Sequence, residues 1–530
     1  MTESETAGSM KKHTDTPVTS GGEHAPDRSR REFMVGATAA LALSTTRSAA
    51  GRGGADAASL TDLGAVEAIA RMTRGDLTAE RYAGALLARC REAQALNAFI
   101  SLDAEQVMAH ARDRDRERRA GKRPGLLFGL PIPVKDSVNT RDYPTTAGTP
   151  ALRHFRPKED APLVASLRAA GAIVLGKTNL HELSYGWTSN NLAFGAVHNP
   201  YDLTRIPGGS SGGTAAAIAA RLAPLGVAED TEGSIRVPAA LCGIAGFRPT
   251  TGRYPTSGCV PISALFDQVG PHARHVADLA LFDSVAADDP APLGVVDVRG
   301  MRLGIVRDYW FRGLDADVER VTTRALERLG DAGVVLVEST LPGLQGLIDR
   351  STAQIQNHDV RLALAHFLSD YGAGLSFQQL IALASPDIQA IFQRDILSGA
   401  KNFVSDEVYA EARDEVLPAL RRLFREYFAN NRVEAMVFPA TMIPAPKIGD
   451  EDMLEVGGRR ISFATAIARN IDPGSSTGLP GLVLPAGLTP GGLPVALEFD
   501  APAGSDRRLL ALGAGLERVL GRLPPPRIVS

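Results

Sequence analysis

The chain of 530 residues has little cysteine: Cys90, Cys242 and Cys259 are the whole complement. Three thiols in a chain this long exclude a disulfide framework. Aromatic residues make up 5% and tryptophan occurs twice. A net charge of −3 excludes a broad electrostatic grip on nucleic acid, and no nucleic-acid partner is expected. No apolar run reaches the roughly 20 residues that a bilayer span needs, so no integral membrane segment is expected either. Lysine is scarce, at 8 of 57 basic residues. What remains is a 44% hydrophobic, 22% charged composition, close to that of an ordinary soluble globular protein.

The first fifty residues read as an address. Residues 1–28 are polar and carry no apolar period. They lead into Ser29-Arg30-Arg31-Glu32-Phe33-Met34, a mild apolar run from Val35 to Leu43, and the small residues Ser48-Ala49-Ala50. This pattern reads as a twin-arginine export signal, with the mature protein periplasmic or secreted. The alternative is a tail with a chance Arg-Arg pair.

Beyond it, apolar residues recur at helical spacing over 58–75 and 78–96, and residues 104–120 read as a charged, exposed helix. Short apolar strands are expected at 130–135, 172–175, 225–228, 433–438 and 481–485, with helices at 160–171 and 212–223 between them. Strands alternating with helices predict an α/β fold, a mostly buried central sheet covered by helices on both faces. Residues 315–430 read as mainly helical. No linker or repeat divides 51–530, which is taken as one domain.

Three segments carry chemistry. Pro133-Val134-Lys135-Asp136-Ser137 ends an apolar strand on a lysine. Burial lowers a lysine's pKa until it becomes a neutral base, whereas arginine stays protonated. In a chain that prefers arginine, Lys135 therefore stands out, although a strand-end lysine reaching solvent is the plain alternative. Pro207-Gly208-Gly209-Ser210-Ser211-Gly212-Gly213 frames two serines with glycines at a helix start, where backbone N–H groups favour developing negative charge. Asp230-Thr231-Glu232-Gly233-Ser234-Ile235-Arg236-Val237-Pro238 is the third.

Competing motifs fare worse. The G-x-S-x-G pattern occurs at 208–212, 209–213 and 474–478. The last histidine is His366, so the Ser476 version cannot have the chain order of an α/β-hydrolase triad, and Ile206-Pro207 argues against a strand before the other two. The phosphate-loop spacing is missing, and His181-Glu182 lacks the second histidine of a zinc protease. His272 and His275 sit on a helical-looking run and are read as packing or surface residues. The cysteines are read as small buried apolar residues. No metal and no cofactor is expected.

Taken together, the three segments resemble the amidase signature family. The likeness returns near Asp472–Gly487 and in the terminal helix, Arg507–Leu520; residues 300–430 are where the resemblance implies a variable helical pocket region. His198–Asp202 and Ala239–Ile244 look most like mandelamide and arylalkyl-amide hydrolases. The resemblance implies the amidase signature fold and a Lys135–Ser210–Ser234 triad, the serines standing 24 residues apart as in the family. Ser234 is the implied nucleophile. Ser210, in a non-proline cis peptide, relays its proton to neutral Lys135, and an acyl-enzyme forms and is hydrolysed. Backbone N–H groups of Thr231, Glu232, Gly233 and Ser234 are the implied oxyanion hole, supported by Ser211, Asp230 and Arg236. Tyr185, Trp187 and Thr188 are expected to line the substrate pocket. The implied reaction is hydrolysis of the C–N bond of a small acyl or aryl amide; carbamates, esters and peptide amides fit the same triad. A homodimer follows from the family alone.

Glu232 departs from the family run D-T-G-G-S. Its side chain is expected to point away from the site, towards an arginine, and leave an active enzyme. If it does not, an inactive binding or scaffold homologue is the alternative.

Overall fold

The computed structural model describes residues 59–527 apart from residue 295; the export-signal reading lies outside them. The described residues fall in one compact unit spanning 53–530. Its strands are β1 (Phe99–Ser101), β2 (Pro131–Lys135), β3 (Ile173–Thr178), β4 (Leu225–Asp230), β5 (Ala245–Arg248), β6 (Gln268–Ala273), β7 (Arg302–Ile305), β8 (Val335–Glu338), β9 (Ala435–Pro439), β10 (Met453–Val456), β11 (Arg459–Ser462), β12 (Gly481–Leu488) and β13 (Pro494–Asp500). Eleven of them form one sheet in the order β1-β3-β2-β4-β6-β5-β12-β13-β9-β7-β8, and β10 and β11 make a separate hairpin.

The sheet is mixed. β2 runs parallel to β3 and β4, and β7 parallel to β8 and β9. The other neighbours in the order are antiparallel. Every residue of β2, β3, β4, β5, β6, β9 and β13 is buried. Helices flank the sheet: Ala316–Asp331 and Asp506–Leu520 pack on β12, and Arg236–Leu241 on β12 and β13.

β2 carries two prolines in a central position, where proline is normally excluded because it cannot donate to the ladder. The structure accommodates them by a slip. Ile132 pairs Val174 but Pro133 pairs Gly176, and only Val134 pairs across to Val227 of β4. Lys135 thus ends a strand whose polar pairing is already loosened.

Three expectations are corrected. His272 is on β6, not a helix, its ring nitrogen Nε2 meeting the Ile235 carbonyl at 2.7 Å in the core. Gln268-Val269-Gly270-Pro271-His272-Ala273 mixes proline, glycine and polar residues, so its strand character comes from tertiary pairing rather than local propensity. The region 300–430 is not helical throughout: β7 and β8 add an edge to the central sheet. Cys90 is only partly buried, while Cys242 and Cys259 are buried.

Candidate active site

Lys135 is fully buried, and its Nζ lies 2.7 Å from Ser210 Oγ. Burial lowers the lysine's pKa, and Glu229 and Asp230 oppose that shift. A buried ammonium is costly, so the site favours a neutral amine whose lone pair can face a hydroxyl.

Ser210 reaches the lysine because the glycine-rich segment is threaded tightly. The Gly209–Ser210 peptide is cis. The Ser210 carbonyl accepts from His181 N at 3.1 Å and from Ser189 Oγ at 3.1 Å, which fixes the loop. Helix Gly212–Ala219 begins immediately afterwards and is buried throughout. A Cβ at Gly213 would collide with the Asn179 carbonyl, so only glycine lets this helix start so close to the end of β3. Ser211 does not face the lysine. Its hydroxyl donates to the Glu229 carbonyl at 3.0 Å and accepts from Glu229 N at 3.3 Å, tying the serine loop to β4.

Ser234 lies across from Ser210, its carbonyl accepting from Ser211 N at 3.3 Å. It is 5% exposed. Its hydroxyl has no hydrogen-bond partner among the described residues, so the Lys135–Ser210 link is formed here and the Ser210–Ser234 link is not. Catalytic hydrogen bonds often tighten only when substrate is bound.

The loop leading to Ser234 is pinned from beneath. Asp230 accepts from Arg236 Nε at 3.1 Å, Arg236 Nη2 at 3.2 Å and Arg248 Nη1 at 3.1 Å. It also accepts from the backbone N–H of Gly233 at 2.7 Å and of Ile235 at 3.0 Å. The two guanidiniums hold this carboxyl well below the usual range although it is fully buried. Arg236 reaches on to Glu498 at 2.6 Å, the Ile471 carbonyl at 3.2 Å and Ser475. Glu498, buried beside Asp500, is pushed upward, so Asp230 is the ionised partner.

This corrects the expected oxyanion hole. The Gly233 N–H, turned by a φ of +96°, is committed to Asp230. The N–H groups of Thr231, Glu232 and Ser234 have no acceptor among the described residues. Thr231 is held separately, its hydroxyl donating to Asp267 at 2.6 Å.

Glu232 is not among the residues with positive φ, so its backbone conformation is one that any residue adopts. Its side chain does not meet an arginine, contrary to expectation: Gln356 Nε2 donates to Glu232 Oε2 at 2.9 Å. Burial and the nearby Asp472 push this carboxyl well above the ordinary range.

The expected pocket residues divide. Tyr185 spans to the helix Thr352–Asp370, its hydroxyl donating to Asn357 Oδ1 at 3.1 Å and its ring lying 5.1 Å from that of Phe392. Asn357 also lines a cavity of about 410 Å³ with Ala353, Arg394, Asp395 and Asn402. Trp187 instead braces the oxyanion loop, its indole N–H donating to the Glu232 carbonyl at 2.8 Å. Thr188 is buried, and its hydroxyl meets His181 Nδ1 at 3.1 Å, so it serves the loop rather than an open pocket wall.

Sequence reasoning missed Glu229, Arg248, Asp267, Gln356 and Asn357. Glu229 directly precedes Asp230 and could have been queried as a second acid on a strand. The helix residues carry no local signal. Among the described residues no cluster is arranged to hold a metal ion, and no helix is long and apolar enough to cross a membrane.

A large mixed sheet flanked by helices holds a buried lysine 2.7 Å from a serine, with a second serine on the turn after β4. The Amidase family model matches residues 82–510, and the chain belongs to the amidase signature family. It is 40% identical to an indoleacetamide hydrolase of Agrobacterium vitis over 465 residues, covering 88% of this chain and 98% of that protein. It is 37% identical to a mandelamide hydrolase of Pseudomonas putida over 480 residues, covering 88% and 93%. Among solved structures, the native peptide amidase of Stenotrophomonas maltophilia superposes with a TM-score of 0.72 at 29% identity, covering 88% of this chain and 99% of that one.

Proposed function

We propose that the chain hydrolyses small arylalkyl amides to the carboxylate and ammonia or an amine, with Lys135, Ser210 and Ser234 as its catalytic triad. The observation that carries this reading is the fully buried 2.7 Å contact between Lys135 Nζ and Ser210 Oγ, next to a serine presented by a loop with uncommitted N–H groups. The names of the relatives, indoleacetamide and mandelamide hydrolase, support an aryl group separated from the amide carbonyl by one carbon.

In this mechanism neutral Lys135 accepts a proton from Ser210 as Ser210 takes one from Ser234. Ser234 Oγ attacks the amide carbon, and the N–H groups of Thr231, Glu232 and Ser234 receive the oxyanion. The tetrahedral intermediate collapses as the relay returns the proton to the leaving nitrogen. Water then attacks the acyl-enzyme by the same relay and frees the carboxylate.

The test is a substrate panel with the purified full chain: an arylacetamide, an aliphatic amide, a peptide amide, an aryl carbamate and a p-nitrophenyl ester. The arylacetamide should turn over fastest, and Ser234→Ala should abolish turnover and fluorophosphonate labelling. Turnover of the carbamate or ester alone would move the function away from amides. No turnover and no labelling would leave a binding homologue.

The Ser29–Met34 segment, the apolar run after it and the small residues at 48–50 support export by the twin-arginine route to the periplasm or beyond. Changing Arg30 and Arg31 to lysine should leave the protein in the cytoplasmic fraction; unchanged export would remove this reading.

A further inference from the structure

Glu229 is 1% exposed, in the middle of the sheet, and nothing in the triad scheme uses it. Its Oε2 lies 3.3 Å from Lys135 Nζ. The same oxygen accepts from Ser137 Oγ at 2.6 Å and Ser184 Oγ at 3.2 Å, and Oε1 has no hydrogen-bond partner among the described residues. A carboxylate buried with two hydroxyls on one oxygen, aimed at a catalytic amine, is an expensive arrangement. It demands an account.

We propose that Glu229 is a positioning residue for the amide hydrolysis: it anchors the Lys135 amine so that its lone pair faces Ser210, and it stabilises the ammonium formed when the relay delivers a proton. The inference rests on the triad reading. A neutral amine has two hydrogens and one lone pair. With one N–H directed to Glu229 Oε2, the lone pair is free to point at Ser210 Oγ, 2.7 Å away. Once the proton arrives, the charge on Lys135 faces a carboxylate at contact distance in a fully buried site. Glu229 therefore trades a less easily deprotonated lysine for a better-directed and better-supported base.

The other groups around the lysine do not supply this charge. Asp230, on the same strand, is taken by Arg236 and Arg248. Asp136, next in the chain, pairs with Lys177 at 2.9 Å. Cys259 is held as a thiol by burial. His181 and His272 are both pushed down to about 4 by burial and are neutral near pH 7. Asp267 is pushed up to about 7 by burial and by Glu229 itself, so below that pH it adds no charge.

The sign of the pH effect follows. The acid limb of kcat/KM marks loss of the proton from Lys135 in the free enzyme. Burial moves that limb down and Glu229 moves it back up. Removing the carboxylate should shift the limb to lower pH by about one unit or more, the usual effect of an opposite charge within 4–6 Å. It should also cost roughly tenfold to a hundredfold on the plateau, a fraction of what a positioned base contributes.

The experiment measures kcat/KM against pH, with melting temperature, for the full chain and for Glu229→Gln, Glu229→Ser and Lys135→Ala on an arylacetamide. A lower plateau with the acid limb moved down in both Glu229 variants is the expected result. An unmoved limb in folded variants overturns the role of Glu229 while leaving the triad intact. Near-native turnover by Lys135→Ala instead overturns the triad reading itself. If neither Glu229 variant folds, Ser137→Ala and Ser184→Ala decide the matter. Stripping donors from the carboxylate strengthens its hold on the lysine and should move the limb upward, and no movement there overturns the proposal.

Discussion

The active site has a floor and a roof built on different principles. The floor comes from β2, β4, the serine loop and the turn after β4, and its Asp230 and Arg236 carry several fixed partners each. Asp230 alone accepts from two arginines and two close backbone N–H groups. The roof comes from the helix Thr352–Asp370, whose hydrogen bonds to the rest of the molecule include Gln356 to Glu232, Thr352 to Asp472 at 2.8 Å, and Tyr185 to Asn357. The difference separates two tasks. Moving a proton between three side chains needs sub-ångström placement, and redundancy supplies it. Recognising a substrate needs shape, and the helix contributes Leu364 and Phe367 to an apolar cluster that also holds Leu380, Phe392, Ala147 and Leu183.

The largest expected effect tests the floor directly. Ser234→Ala should lower kcat by about 10⁵–10⁶-fold, comparable with loss of the nucleophile in other serine hydrolases, with the melting temperature unchanged. Lys135→Arg should cost on the order of 10³-fold or more, since a guanidinium cannot serve as the base. Single-turnover measurements on an arylacetamide would read both. If a roof substitution matched either loss, the division between floor and roof would collapse.

The floor was largely legible in the sequence because the reaction dictates its residue types. A lysine in an arginine-rich chain, glycines packed around serines, and a short acid–glycine–serine turn are choices that packing alone does not make. Even so, Glu229 escaped notice. A carboxylate at the end of Leu-Gly-Val-Ala-Glu-Asp looks like the polar end of a strand, and only the sheet reveals that it is buried against Lys135. β5 and β6 were hidden for the same reason: Arg248, Gln268 and His272 are buried polar residues on strands, and their partners lie far along the chain. The roof was least legible. Gln356 and Asn357 are unremarkable residues on a helix, and their importance comes from what they happen to face.

The next effect is on stability. Arg236→Met would leave Asp230 and Glu498 buried without their shared guanidinium. Breaking a buried pair on one side costs about 3–5 kcal/mol, so the variant should melt lower and express poorly. The sign of its pH dependence is set by Asp230. A carboxyl held low in the folded state adds stability above its unfolded pKa, and that stability fades as pH falls. Wild type should therefore lose more stability than Arg236→Met on acidification below about pH 4. Parallel melting curves against pH would show the network to be decorative if the two lost stability equally.

Glu232 sits where floor meets roof, and its effect should be intermediate. Its carboxyl is held well above the ordinary range, so it is neutral at lower pH and ionises as pH rises. Charge arriving beside the N–H groups that receive the oxyanion should slow acylation, giving kcat a falling alkaline limb. Glu232→Gln keeps the bond partner for Gln356 and removes the charge, so it should flatten that limb with little change on the plateau. A limb that persists in the variant would place the titrating group elsewhere.

The smallest effects belong to the roof. Tyr185→Phe removes one hydroxyl bonded to Asn357 and keeps the ring against Phe392. A neutral hydrogen bond of this kind is worth about 0.5–1.5 kcal/mol, which is roughly a two- to tenfold change in KM at constant kcat. The effect should depend on substrate, larger for an arylacetamide that fills the space near Asn357 than for an aliphatic amide that does not. That dependence is the informative part. An equal effect on both substrates would mean that the hydroxyl merely steadies the fold. A fall in kcat would mean that Tyr185 reaches the reacting atoms, and the roof would then share in the chemistry it is here taken only to cover.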